Sequence, residues 1–215
     1  MSEISPLPEP ASTAEAGDVA AARKRPKPGE RRIQILQALA AMLEQPGAER
    51  ITTAALAARL SVSEAALYRH FASKAQMFEG LIVFIEDSLF SLANQIQSRE
   101  TDPAQQIARL LALVLQFAQK NPGMCRVMVG DALILEHERL SARINQLWDR
   151  LESLLRQSHK AMAEARGSLT PTVDAQAGAS LAVSVLLGRL QRFVRTGFQR
   201  LPTEHLDASV QQLLR

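Results

Sequence analysis

The segment at residues 51–71, ITTAALAARLSVSEAALYRHF, constrains this chain more than any other stretch. Its apolar spacing predicts two short helices, the first ending near Leu60 and the second beginning at Glu64. Only residues 61–63 separate them, so the connection is a tight turn. Two helices joined this tightly can hold one member rigidly while the other enters a DNA groove. The segment therefore predicts a helix-turn-helix, and DNA binding is the first hypothesis.

Both helices begin with residues that suit a helix N-terminus. Thr52 or Thr53 can cap the first helix with its hydroxyl, and Ser63 can cap the second. Glu64 then places an acidic side chain at the positive end of the second helix. These residues fix where each helix starts.

The second helix has an inner and an outer side. Leu67 and Phe71 lie four residues apart, so both can face a core. The outer arc carries small and polar residues: Ser63, Ala66, Tyr68 and His70. Tyr68 and His70 can donate hydrogen bonds to phosphate oxygens, and the small side chains of Ser63 and Ala66 can touch base edges. The same spacing is also typical of an ordinary helical hairpin in a core.

Residues 68–74, YRHFASK, resemble the Y-x-H-F-x-S-K segment that closes the recognition helix of TetR-type regulators. The resemblance implies an all-α protein, with an N-terminal three-helix helix-turn-helix head on a larger TetR-like helical body that dimerises. Ser61 stands at a turn position that this family often fills with glycine, so its backbone should carry some cost. The residues expected at DNA are Arg31, Thr52, Thr53, Ser63, Glu64, Ala65, Ala66, Tyr68, Arg69, His70 and Lys74.

Composition and charge agree with this fold class. Hydrophobic residues make up 47% of the chain and aromatic residues only 4%, which favours helices over sheets. Residues 1–22 hold four acids and no base, whereas residues 23–80 hold ten bases and five acids. The positive excess therefore lies beside the helix pair, where phosphates would be met.

The pattern predicts three regions. We expect a disordered tail with a basic arm at 1–28, because its composition offers no periodic apolar face. The basic arm can lie along DNA or serve only as a solubilising flank. A helix-turn-helix DNA-binding domain is expected at 29–75, and a helical dimerisation and partner-binding domain at 76–215.

Other functional classes lack their usual residues. The single cysteine, Cys125, excludes an intramolecular disulfide and fits a reducing cytosol. No secretion signal is present, and the longest apolar run, 181–187, is too short to span a bilayer. The histidines are scattered without metal-ligand spacing: His70, His137, His159 and His205. We therefore expect a cytoplasmic protein that is not an enzyme, with no cofactor, metal, membrane or small-molecule requirement.

The first helix is expected to span 30–44 and to end at Pro46-Gly47. Its predicted inner face consists of Ile33, Leu36, Leu39, Ala40 and Leu43. The next long helix should be capped by Ser73, and another should begin at Asp102-Pro103.

The C-terminal half should contain three more long elements. One helix is expected over about 131–165, and His137 with its two neighbouring glutamates, Glu136 and Glu138, should lie on a solvated face. Residues 173–198 mix leucine with alanine and glycine, which is typical of a dimer seam but also of an ordinary buried helix. A last helix is expected over 204–214.

Segments of the body also resemble a branch of the TetR-type family that acts in nucleoid occlusion. The matching stretches include FIEDSL at 84–89, RINQLWDR at 143–150 and RFVR at 192–195. The resemblance implies a homodimer that binds chromosomal palindromes in double-stranded DNA and inhibits assembly of the tubulin-like division protein FtsZ. It further implies a groove between the fourth and fifth helices for the FtsZ tail, at Phe84, Leu113, Lys120 and Asn121. Leu92 stands where that branch would have a groove-lining arginine.

The alternative is a ligand-responsive TetR-type repressor. Its body would enclose a small-molecule pocket lined by Phe117, Met124, Met128 and Trp148. Residues of these types at helical spacing are more often part of a core.

Overall fold

The computed structural model describes residues 29–45 and 51–214, so the predicted tail at 1–28 and the Pro46-Gly47 helix stop lie outside the described residues. Within those ranges the backbone forms nine α-helices and one short 3-10 turn: α1 (Glu30–Leu43), α2 (Thr53–Arg59), α3 (Glu64–Tyr68), α4 (Lys74–Arg99), α5 (Pro103–Lys120), α6 (Pro122–Met128), the 3-10 turn (Asp131–Leu133), α7 (Glu138–Ala165), α8 (Pro171–Arg195) and α9 (Leu206–Leu213). The predicted all-α class is confirmed.

The predicted helix caps are confirmed. The hydroxyls of Thr52, Ser63 and Ser73 accept hydrogen bonds from backbone amides at the starts of α2, α3 and α4. The Asp102 carboxylate does the same for α5, ahead of the proline at its first turn. These bonds form within a few residues of sequence, which is why the sequence predicts them well.

Two predictions about α1 and α7 were wrong. Ile33 is 50% exposed, and Ile35 takes the inner position with no exposed surface. The inner face is rotated because α1 packs against both α4 and α6. The long helix does not begin near 131: Gly130 adopts a left-handed backbone at φ 81°, and α7 starts only after His137, which caps it.

The core centres on α5, which contacts α4, α6, α7 and α8 and also touches α9. α4 is continuous from Lys74 to Arg99, so the predicted boundary between residues 75 and 76 falls inside its first turn. The helix thus belongs to both the head and the body. None of the described helices combines the length and hydropathy needed to cross a bilayer.

α7 and α8 pack along each other, and His159 is buried where they meet. A Cβ on Gly178 would lie 2.5 Å from His159 Nδ1, so the ring fits only because residue 178 has no side chain. Nε2 of His159 has no hydrogen-bond partner within the described part of the chain. Burial lowers the pKa of His159, and the positive charge of Arg166 lowers it further.

Acid should therefore weaken the α7–α8 packing. In the unfolded chain His159 takes up a proton near pH 6.5, whereas in the folded chain it does so only at a lower pH. The free energy of unfolding is therefore unaffected by His159 above pH 6.5 and decreases as the pH falls below it. The loss should not exceed about 1.4 kcal/mol per pH unit for one proton. We expect urea unfolding at pH 7.5 and 5.0 to show a smaller pH dependence in His159→Leu than in the wild type. Equal pH dependence in both proteins would contradict this.

Candidate nucleic-acid interface

α3 is held by two buried side chains on its inner side. Leu67 and Phe71 are each 1% exposed and belong to the core formed with α1, α2 and α4. The turn before α3 has the predicted unusual backbone, because Ser61 adopts φ 52° where glycine would be unstrained. A helix this short keeps its orientation through such packing rather than through its own stability.

The outer side of α3 is open to solvent. Tyr68 is 45% exposed. Ala66 is half-buried, and the remaining predicted contact residues at this end of the head are exposed: Ser63, Glu64, Ala65, Arg69 and His70. The structure therefore brings these residues together on one surface.

Thr53 and Glu64 join the two helices of the motif. The Thr53 hydroxyl donates to Glu64 Oε2 over 2.5 Å. Thr52, by contrast, is exposed, and its hydroxyl accepts from Ala55 N at the start of α2. Of the two threonines, Thr53 thus orients a recognition-helix side chain, while Thr52 lies at the open N-terminus of α2.

Arg32 is a head residue that sequence reasoning missed. Its Nη1 donates to the backbone carbonyl of His70 over 2.7 Å, and its guanidinium lies 4.1 Å from the centre of the Phe71 ring. A cation at this place neutralises the carbonyl end of α3 and fixes it to α1. The only signal in the sequence is a basic residue beside Arg31, whose own side chain donates to Gln34 Oε1 over 3.0 Å.

Lys74 points to the body in this structure. Its ammonium forms an ion pair with Glu136, and the two side chains are 22% and 11% exposed. The expectation of a solvated Glu136 is therefore wrong, because the carboxylate is sheltered against α4. A phosphate would have to compete with Glu136 for Lys74.

The predicted groove for an FtsZ tail offers surface at only some of its residues. Phe84 is half-buried and Lys120 is exposed, whereas Leu113 and Asn121 are buried at 5% and 7%. Asn121 Nδ2 donates to the Phe117 carbonyl over 2.8 Å, so this amide closes the end of α5. Of the four predicted groove residues, only Phe84 and Lys120 therefore offer accessible surface.

The residues considered for a small-molecule pocket fill the core instead. Phe117, Met124 and Met128 are at most 1% exposed. Trp148 is 7% exposed, and its Nε1 donates to the Met128 carbonyl over 2.9 Å. Burial also raises the pKa of the Cys125 thiol to about 12, which does not suit a nucleophile. Among the described residues no cluster of three potential metal ligands occurs.

α8 divides its small residues between two sides. The inner side is buried in the protein: Ala175, Ala179, Ala182, Leu186 and Leu190. The outer side forms a stripe of small and apolar residues at helical spacing, called the outer stripe: Val173, Ala177, Leu181, Ser184 and Gly188. Val173 is 66% exposed and Leu181 is 53% exposed. The outer stripe is therefore open to solvent in the single chain, whereas Gly178 faces His159.

Two family models match the chain. Residues 35–81 match the bacterial regulatory proteins of the tetR family, and residues 102–215 match an SlmA-like form of the tetracyclin repressor-like C-terminal domain. The chain is 51% identical to the nucleoid occlusion factor SlmA of Idiomarina loihiensis, over 84% of this chain and 92% of the relative. It is 50% identical to SlmA of Photobacterium profundum, over the same shares of the two chains.

Solved structures support the same fold. The TetR family regulator PfmR from Thermus thermophilus aligns with a TM-score of 0.70 at 22% identity, over 86% of this chain and 95% of that one. FadR from Bacillus subtilis, solved in complex with stearoyl-CoA, aligns with a TM-score of 0.67 at 12% identity, over 85% and 97%. At these identities the likeness concerns the fold alone.

Proposed function

Because the chain belongs to the TetR family, within the branch of SlmA-like nucleoid occlusion factors, we propose that it binds palindromic chromosomal DNA as a homodimer. Bound to the nucleoid in the cytoplasm, it inhibits assembly of FtsZ there, which coordinates division with chromosome segregation. The observation that carries the DNA-binding part is the open outer side of α3, with Tyr68 45% exposed above a fully buried inner side.

The division of roles on α3 follows from side-chain chemistry. Tyr68 and His70 have polar groups on the solvent side and can donate to phosphates, which are the same at every base pair. Ala66 and Ser63 are small and lie at the N-terminal part of α3, the part of a recognition helix that reaches base edges. Glu64, oriented by Thr53, can accept from a cytosine amino group and repels phosphates.

Replacing Tyr68 or His70 with alanine should weaken binding to all duplexes by about three- to tenfold, because a hydrogen bond to phosphate is lost. Fluorescence anisotropy on a selected palindrome and on a scrambled duplex measures this. Tyr68→Phe is the matched control, since it removes the hydroxyl and keeps the ring.

Ala66→Ser should change the preferred sequence instead, and an equal loss on both duplexes would contradict that role.

The partner-binding part of the proposal rests on the α4–α5 side of the body. Phe84 supplies a half-buried aromatic ring, and Lys120, an exposed residue, carries a positive charge that can attract an acidic or carboxylate-ended peptide. We expect a synthetic FtsZ tail peptide to bind the dimer and Phe84→Ala to abolish that binding. Val83→Ala is the matched control, because Val83 is 39% exposed on another side of the same helix. Absence of peptide binding to the wild type would contradict the FtsZ-binding part of the proposal and would not affect the DNA-binding part.

A further inference from the structure

Ion pairs join α4 to α7 and to Glu136, which lies just before α7, and they follow one another along the two helices. Glu79 pairs with Arg139 over 2.9 Å, and Glu86 pairs with Arg143 over 2.7 Å. The Lys74–Glu136 ion pair precedes them, next to the recognition helix. We call these three ion pairs the α4–α7 seam. Residue numbers rise together on both sides of the seam, so the two helices run parallel.

Contacts continue beyond the ion pairs. The guanidinium of Arg150 lies 3.8 Å from the centre of the Phe90 ring, and Gln97 Nε2 donates to the Leu154 carbonyl over 3.3 Å. The α4 helix is therefore tied along the α7 side at five levels, from its first residue to its last turn.

The seam carboxylates are sheltered from solvent. The side chains of Glu136, Glu86 and Glu79 are 11%, 15% and 29% exposed, whereas Glu164, in the Lys160–Glu164 pair within α7, is 56% exposed. Among the cations, Lys74 is 22% exposed, Arg143 36% and Arg139 50%, so salt and water screen the Lys74–Glu136 pair least and the Arg139–Glu79 pair most. The hydrogen bond to Glu86 raises the pKa of Arg143, and the charges of Glu86, Glu79 and Asp87 raise it further. Arg143 thus senses Glu79 of the neighbouring pair as well as its own partner Glu86.

The seam connects the head to the α7–α8 side of the body. A dimer that binds a palindrome must keep the relative position of these two parts fixed. α4 begins three residues after Phe71, which anchors the recognition helix, so movement of α4 carries the head with it. α7 packs along α8, which bears the outer stripe. Apolar packing between helices sets their distance but permits sliding, and a slide of one turn is about 5.4 Å. Ion pairs at successive levels oppose that sliding.

We propose that the α4–α7 seam sets the separation of the two heads, and so determines which spacing between DNA half-sites the dimer accepts. Glu79, Glu86 and Glu136 are then positioning residues for spacing specificity, acting through α4 without touching DNA. The inference rests on the proposed function, because it requires a dimer that binds both half-sites of a palindrome.

The experiment compares the triple variant Glu79→Gln, Glu86→Gln and Glu136→Gln with the full-length wild type. The matched control is Glu138→Gln, Glu152→Gln and Glu164→Gln. It removes the same number of negative charges, all of them from α7, and leaves the three seam pairs intact. The probes are the palindrome selected by the wild-type protein from a random duplex library, the same palindrome with two base pairs inserted or removed at its centre, and a single half-site. The measured quantity is the ratio of affinities for the selected and altered spacings.

We expect the seam variant to lose about tenfold of this ratio. Its affinity for the half-site should rise relative to the control, because Glu136→Gln frees Lys74 for phosphate, but that gain is common to both spacings and cancels in the ratio. An unchanged ratio in a folded seam variant overturns the inference. If the triple variant does not fold by circular dichroism, Glu86→Gln is tested with the same probes, and the charge swap Glu86→Arg with Arg143→Glu should restore the wild-type ratio. Failure of the wild type to bind any duplex would count against the proposed function instead.

Discussion

Replacing Gly123 with alanine is expected to displace the head from the body and to lower both stability and DNA affinity. Gly123 lies at the start of α6, where a Cβ would stand 2.1 Å from the Ala40 carbonyl oxygen of α1 and 3.0 Å from the carbonyl carbon. Backbone atoms cannot rotate away, so α1 itself must move. Nearby, Arg126 donates to the Leu43 carbonyl of α1 over 3.2 Å, and this contact depends on the same approach.

The expected cost is about 1–3 kcal/mol in the free energy of unfolding, as for other overpacked sites, and a loss of at least roughly tenfold in palindrome affinity. Urea unfolding and anisotropy on the selected palindrome measure the two effects. Gly80→Ala is the matched control: its Cβ would lie 3.0 Å from a methyl group of Leu36, a side chain that can rotate. If Gly123→Ala behaved no differently from Gly80→Ala, the close approach of α1 and α6 would not fix the head.

Placing aspartate at Leu181 should convert the protein to a monomer and remove high-affinity palindrome binding. Leu181 lies near the middle of the outer stripe of α8 and is 53% exposed in the single chain. A second copy packed on this stripe would bury a carboxylate without a partner, which costs several kcal/mol. Because two linked heads bind a palindrome more tightly than one, the loss should reach about 10²-fold or more.

Sedimentation velocity and anisotropy test the two parts of this prediction on the same samples. Ile134→Asp is the matched control, since Ile134 is 76% exposed in the connection before α7 and lies outside the stripe. We expect the control to remain dimeric and to bind the palindrome normally. A Leu181→Asp protein that sediments as a dimer would move the dimer interface away from the outer stripe.

The sequence by itself determined the features that depend on near neighbours along the chain. Caps at Thr52, Ser63 and Ser73, and the inward pair Leu67 and Phe71, follow from bonds and spacings within five residues. The TetR-like fold, by contrast, was implied by the resemblance of residues 68–74 and of several body segments to that family.

Only the tertiary structure decided features in which distant residues meet. Nothing near Lys74 predicts Glu136 as its partner, and nothing near Gly123 predicts that a Cβ there would lie 2.1 Å from the Ala40 carbonyl oxygen. Likewise, the choice of Ile35 over Ile33 depends on where α4 and α6 lie around α1. Helical periodicity states that a face will be buried, but the neighbouring helices set its direction, and long-range packing leaves no local pattern in the chain.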